Sequence, residues 1–230
     1  MNAKNVVGPI VLCLIQGIMA VPSYGASNDH GVELARKQFE LPEIIGKIRT
    51  VAITADGSDI VVEYCPKARN SANARRTPAY IKRCAILRDA KPKCSPALLV
   101  DKECNPHQTL SSFQLKGAIL VKNELNQGNA SEERYYRLTA DGIAVVNLIV
   151  GNSVKPFSDV SGNTLGTGGS TISFDLGKAL MHRAAWIIVR AGDHADGSPI
   201  IVSRNTNEDY RWDGMDFVLD SSSTAQEPAR

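Results

Sequence analysis

Short β-branched and aromatic runs of strand length, separated by polar turns, dominate the hydrophobic pattern of the chain. Ile48–Ile53 leads through Ala55-Asp56-Gly57 to Ile60–Tyr64. Tyr135–Thr139 leads through Ala140-Asp141-Gly142 to Ile143–Val150, and Trp186–Arg190 leads through Ala195-Asp196-Gly197 to Ile200–Val202. Each is a hairpin signal, because Gly accepts a positive φ and Asp bonds its own backbone. Further strands are expected at Phe113–Val121 and Met215–Leu219; Thr171–His182 is ambiguous, strand-like at Ile172 and Phe174 and readable as a helical turn over Leu176–Met181. The three Ala-Asp-Gly turns have no fixed period, so they mark a recurring turn solution and not a repeat architecture.

Helical patterning is sparse. Asp29–Glu40 carries Val32, Leu34, Ala35 and Phe39 on one stripe and ends before Pro42. Ser95-Pro96 supplies a cap and a first-turn proline for a short helix reaching about Glu103. The expected fold class is mainly β, a sandwich or open barrel of antiparallel hairpins with a few short helices. Asn123–Glu133 and Ser158–Ser170 read as exposed loops, and residues 221–230 as a disordered polar tail.

The first 26 residues follow another logic. Lys4 is the only charge before Asp29, an apolar run extends from Ile10 to Val21, and Pro22 precedes the small residues Ser23, Gly25 and Ala26. This is the layout of a signal peptide. The run falls short of the roughly 20 apolar residues a membrane-spanning helix needs. Cleavage near Ala26 would leave residues 27–220 as an exported β-rich domain, secreted or periplasmic, with no transmembrane segment after cleavage.

Cys65, Cys84, Cys94 and Cys104 then read as a disulfide framework bracing segment 65–104. Four cysteines allow three pairings, and short loops favour Cys65 with Cys84 and Cys94 with Cys104. No Cys-x-x-Cys or His-Glu-x-x-His spacing occurs, so no metal site and no cofactor is expected.

The formal net charge is only +2, but it is unevenly spread. Between Cys65 and Cys94 nine Lys and Arg residues face Asp89 alone, whereas Asp193–Asp220 is acidic. The basic segment, with Arg75, Arg76, Lys82 and Arg83 as its expected ligand-binding residues, suits an anionic glycan, a lipid headgroup or an acidic protein partner. An exported location disfavours nucleic acid.

Other features carry weaker chemistry. Gly166–Thr171 offers consecutive amides for an anion but lacks the lysine of a phosphate-binding loop. Tyr210 and Trp212 share one face of a strand, as an aromatic platform for sugar would. No nucleophile-elbow or Ser-x-x-Lys motif is present in the expected mature chain. The leading expectation is therefore a non-enzymatic binding or assembly protein of the cell envelope or exterior. The rivals are a secreted hydrolase built from scattered residues such as Ser170, His182, His194 and Asp196, and a secreted toxin or effector. Mass spectrometry of the exported protein should find Ser27 at the amino terminus; an intact Met1 would overturn the signal-peptide reading.

Overall fold

The computed structural model describes residues 46–54, 59–66, 77–85, 93–104, 108–127, 130–162 and 168–228. The first sheet holds β1 (Gly46–Ile53), β2 (Asp59–Pro66), β3 (Ala79–Ala85) and β4 (Leu98–Asp101), antiparallel and in sequence order. The second holds β5 (Gln108–Leu115), β6 (Ala118–Gln127), β7 (Ala130–Thr139), β8 (Gly142–Val145) and, after an excursion, β11 (Ser158–Gly162). The third has six strands in the order β10-β9-β15-β14-β13-β12. They are β9 (Asn147–Val150), β10 (Ser153–Pro156), β12 (Gly168–Asp175), β13 (Leu180–Asp193), β14 (Pro199–Trp212) and β15 (Phe217–Pro228). All pairings are antiparallel except the short β9–β15 contact.

The five-stranded sheet lies between two hydrophobic cores. Successive strand residues point to opposite faces, and the sequence supplies apolar pairs that use both. Leu120 and Tyr135 join Met181, Tyr210, Trp212 and Phe217 in the core against the six-stranded sheet. Their neighbours Val121 and Tyr136 join Val61, Ile81 and Val100 in the core against the four-stranded sheet. Stacked and edge-on rings of Tyr135, Phe157, Phe174, Phe217 and Trp212 fill the first core.

β7 also hands the chain from one sheet to the other. Its outer edge pairs with β8 over Tyr136–Thr139 and with β11 over Ala130–Arg134. Between them, the Tyr135 amide donates to the Phe157 carbonyl and the Val146 amide donates to the Tyr135 carbonyl. The Phe157 amide closes the ring on the Val146 carbonyl (2.7 Å). Val146 and Phe157 are fully buried, and the β9–β10 hairpin between them leaves to join the six-stranded sheet.

The hairpins at Ala140-Asp141-Gly142 and Ala195-Asp196-Gly197 form as expected, and β1 pairs with β2 around the Ala55-Asp56-Gly57 segment. In the last turn Gly197 has φ +82°, and Asp196 Oδ1 accepts from the Ser198 amide and hydroxyl at 2.9 and 2.7 Å. Other expectations need correction. No helix occurs among the described residues: Leu98–Asp101 is strand β4 where a helix was expected, and Leu176–Ala179 is a tight turn. Asp29–Glu40 lies outside the described residues. Phe113–Val121 is interrupted by a turn at Lys116-Gly117, where both residues adopt positive φ. Strand β6 and β7 cover most of Asn123–Glu133, and β11 and β12 cover both ends of Ser158–Ser170. Ser221–Pro228 is not a loose tail; it continues β15 in register with β14 as far as the Val202–Pro228 pair.

The cysteines pair as Cys65–Cys104 and Cys84–Cys94, with Cα separations of 6.0 and 4.1 Å. Strand register excludes the expected Cys65–Cys84 bridge. Cys84 stands opposite Ile60, five residues along β2 from Cys65. At about 3.4 Å per residue that gap far exceeds the roughly 7 Å limit of a disulfide. Non-reducing peptide mapping should recover these two pairs. The 39-residue Cys65–Cys104 separation encloses much more chain than the 10-residue Cys84–Cys94 separation. Replacing the first pair with serine should therefore cost about 4 kcal/mol and the second about 3 kcal/mol in urea denaturation. Equal losses would refute a loop-entropy origin.

Candidate functional site

Of the four basic residues expected to grip an anion, Arg75 and Arg76 lie outside the described residues. Lys82 and Arg83 are on strand β3, not on a loop. Lys82 is buried, with its ammonium 5.9 Å from the centre of the Tyr64 ring. Arg83 pairs through Nη2 with Asp59 Oδ2 at 2.7 Å, and its other terminal nitrogen donates to the Thr139 carbonyl. The Asp59 side chain is 3% exposed, so Arg83 compensates the charge of a buried carboxylate. Arg83 thereby ties the first sheet to the end of β7, while Lys82 is held within the first sheet.

A second arginine organises the junction of the other two sheets. Arg183 on β13 donates through Nε and Nη2 to both oxygens of Asp159 on β11, at 2.6 and 3.1 Å. Its Nη1 donates to Glu208 Oε2 on β14 at 2.8 Å. Ser170 Oγ donates to Asp159 Oδ2, and Tyr210 OH donates to Glu208 Oε2. Hydrogen bonding to Asp159 is the largest influence holding the Arg183 guanidinium protonated. Burial, reinforced by the Glu208 carboxylate, pushes the Tyr210 phenol up to about 12. A cleft of about 430 Å³ lies over this junction, with Gly168 on its wall and Arg204 at its rim. Gly168–Thr171, four of the six residues of the glycine-rich anion cradle expected from sequence, run as part of strand β12 paired with β13.

Tyr210 and Trp212 do share a face, but it is the core face, where they are 3% and 4% exposed. They cannot form a sugar platform. The opposite, solvent-facing side of the same strands carries a polar array that sequence reasoning missed. Ser173, His182, Asp209 and Ser221 stand directly opposite one another on four adjacent strands. Thr171, Ala184, Asn207 and Ser223 form the next row, and Gly169, Trp186, Asn205 and Ala225 the one after. A β-bulge at Asp220 sets the phase. It lets Leu219 face the core, while Asp220 pairs with Arg211 and Ser221 reaches Asp209. The signal was present in the alternation of Thr171-Ser173, His182-Ala184-Trp186 and Asn205-Asn207-Asp209, but only register across strands turns it into a surface.

Asp209 is the centre of the first row. Its Oδ1 bonds His182 Nδ1 at 2.6 Å, and its Oδ2 accepts from Ser221 Oγ at 2.9 Å. These contacts, His182 first, hold its carboxyl below the ordinary range. Any stability the pair supplies is therefore present above the unfolded carboxylate pKa and is lost as pH falls through the depressed one. The order Ser173–His182–Asp209 resembles a charge relay. Yet His182 and Asp209 are nearly half exposed, and their neighbours' backbone pairs with adjacent strands where an oxyanion hole would need free donors. Ser170 lies on the core side of β12, bound to Asp159, and cannot reach His182. His194 and Asp196 close the distant β13–β14 turn.

No family model, no curated protein and no solved structure matches this chain.

Replacing Arg183 with Ala would leave Asp159 and Glu208 facing each other without their cation and should destabilise the protein by about 3–5 kcal/mol in chemical denaturation. In spectrophotometric titration, Glu208→Gln should bring the Tyr210 transition down from about 12 towards that of an ordinary phenol. An unchanged transition would remove the carboxylate as a contributor.

Proposed function

We propose that this chain is an exported binding protein of the cell envelope or exterior and that it holds its partner on the outer face of the six-stranded sheet. The observation that carries this reading is the in-register polar array on β12–β15, with the His182 and Ser221 side chains fixed by the Asp209 carboxylate. Backbone ladders hold these groups before any partner arrives, so binding there loses little conformational entropy. Two disulfides suit an oxidising compartment, as does the layout of the first 26 residues.

The anionic-partner reading now rests on Arg75 and Arg76, since Lys82 and Arg83 are engaged within the fold. The two surfaces are separable by mutation. Retention of the purified protein on isolated cell envelopes of its source should fall about tenfold or more in the Thr171→Lys/Asn207→Lys variant, with an unchanged melting temperature. Arg75→Glu/Arg76→Glu should leave retention intact. The opposite pattern would return the site to the basic segment. Ester or glycoside turnover abolished by His182→Ala would replace the binding reading with a hydrolase.

A further inference from the structure

Strand β15 pairs with β14 along one edge, and its other edge meets β9 only at Phe217 and Val218. From Leu219 to Pro228, among the described residues, no strand lies against that second edge. Backbone amides and carbonyls in this stretch therefore turn away from the sheet at every second residue, with no strand to receive them. Two other free edges carry devices that block further pairing. β10 is four residues long and includes Lys155 and Pro156. The end of β13 beyond Ile187, where its pairing with β12 stops, is broken by a bulge between Arg190 and Gly192 and carries the Arg190 guanidinium. β15 has none of these past Asp220. Ser221–Glu227 pairs with β14 without irregularity, holds no Lys, Arg or Pro, and is exposed along its whole length. Its one charge is Glu227, and Asp220, in the bulge before it, is already paired with Arg211.

We propose that this edge is a dimerisation surface, pairing antiparallel with β15 of a second copy of the chain and joining two six-stranded sheets into one. A ladder of unpaired backbone groups is satisfied by another extended strand, so the edge itself states the chemistry of its partner. Symmetry then shows why a second copy suits it. Hydrogen-bonded and non-hydrogen-bonded pairs alternate along an antiparallel ladder. A two-fold axis makes every pair identical to its symmetry counterpart, so the axis must pass where a residue faces its own copy. Thr224 is the midpoint of Ser221–Glu227, and an axis there uses the full run. It sets Thr224 against Thr224, Ser223 against Ala225, Ser222 against Gln226 and Ser221 against Glu227. No like charges meet. The hydroxyls of Thr224, Ser222 and Ser221 face hydroxyl, amide and carboxylate groups that can bond them.

An interface made by one strand edge is small, so sedimentation velocity of the purified chain should show a monomer–dimer equilibrium with a Kd of roughly 1 μM to 1 mM. Ser222→Lys/Thr224→Lys sets lysines face to face at the axis and should raise that Kd about tenfold or more. Its circular dichroism and melting temperature should match wild type, because both side chains are exposed. Mild oxidation should cross-link Thr224→Cys to its own copy, since directly opposed Cα atoms lie about 4.5–5.5 Å apart, within reach of a disulfide. Ser222→Cys, about 14 Å from its own copy in this register, should cross-link about tenfold more slowly or less. A monomer at every concentration up to about 1 mM overturns the inference. So does a dimer undiminished in the lysine variant, or equal cross-linking of the two cysteine variants.

Discussion

Adjacent tyrosines on one central strand set the architecture. Tyr135 and Tyr136 point to opposite sides of β7, and both are buried. A strand with large apolar groups on both faces can be satisfied only as the middle layer between two others. The Leu120–Val121 pair on β6 imposes the same demand. Burial pushes the Tyr136 phenol up to about 12, so this ring is held neutral inside the fold at any physiological pH. The ring of backbone bonds among Tyr135, Val146 and Phe157 then lets the β9–β10 hairpin depart without leaving β7 unpaired.

With the layers fixed, arginines secure their margins. Arg83 links β3 to Asp59 and to the end of β7. Arg183 links β11 to β13 and β14 through two carboxylates. In both cases a partly buried guanidinium satisfies acceptors from different elements, which its planar fork does better than a lysine ammonium. The consequence for function is indirect but decisive. Arg83, which looks like part of a binding surface in one dimension, is engaged as a structural clamp, and the outer face of the six-stranded sheet carries its polar rows above the Arg183 network.

The distal parts of β13, β14 and β15 extend beyond this clamped region. Ile187, Ile188 and Ile201 are exposed there, and Ser221–Pro228 is solvent-facing throughout. Backbone pairing, with a few cross-strand side-chain contacts, holds this ribbon together. Its polar residues, with no buried face to impose alternation, gave Ser221–Pro228 the composition of a tail although it pairs as a strand.

What the chain's own pattern determined is the β character and the hairpins, because Ala-Asp-Gly turns and β-branched runs act through local backbone energetics. The four clustered cysteines, Cys65 to Cys104, likewise announced a braced segment. Pairing of those cysteines, the strand at Leu98–Asp101 despite a helix-capping Ser-Pro, and the fate of Lys82 and Arg83 were settled only by strand register and by which face met a core. The site was the least legible part: Ser173, His182, Asp209 and Ser221 are scattered along the sequence. They form one row only because four strands align, and a bulge at Asp220 turns the last of them outward.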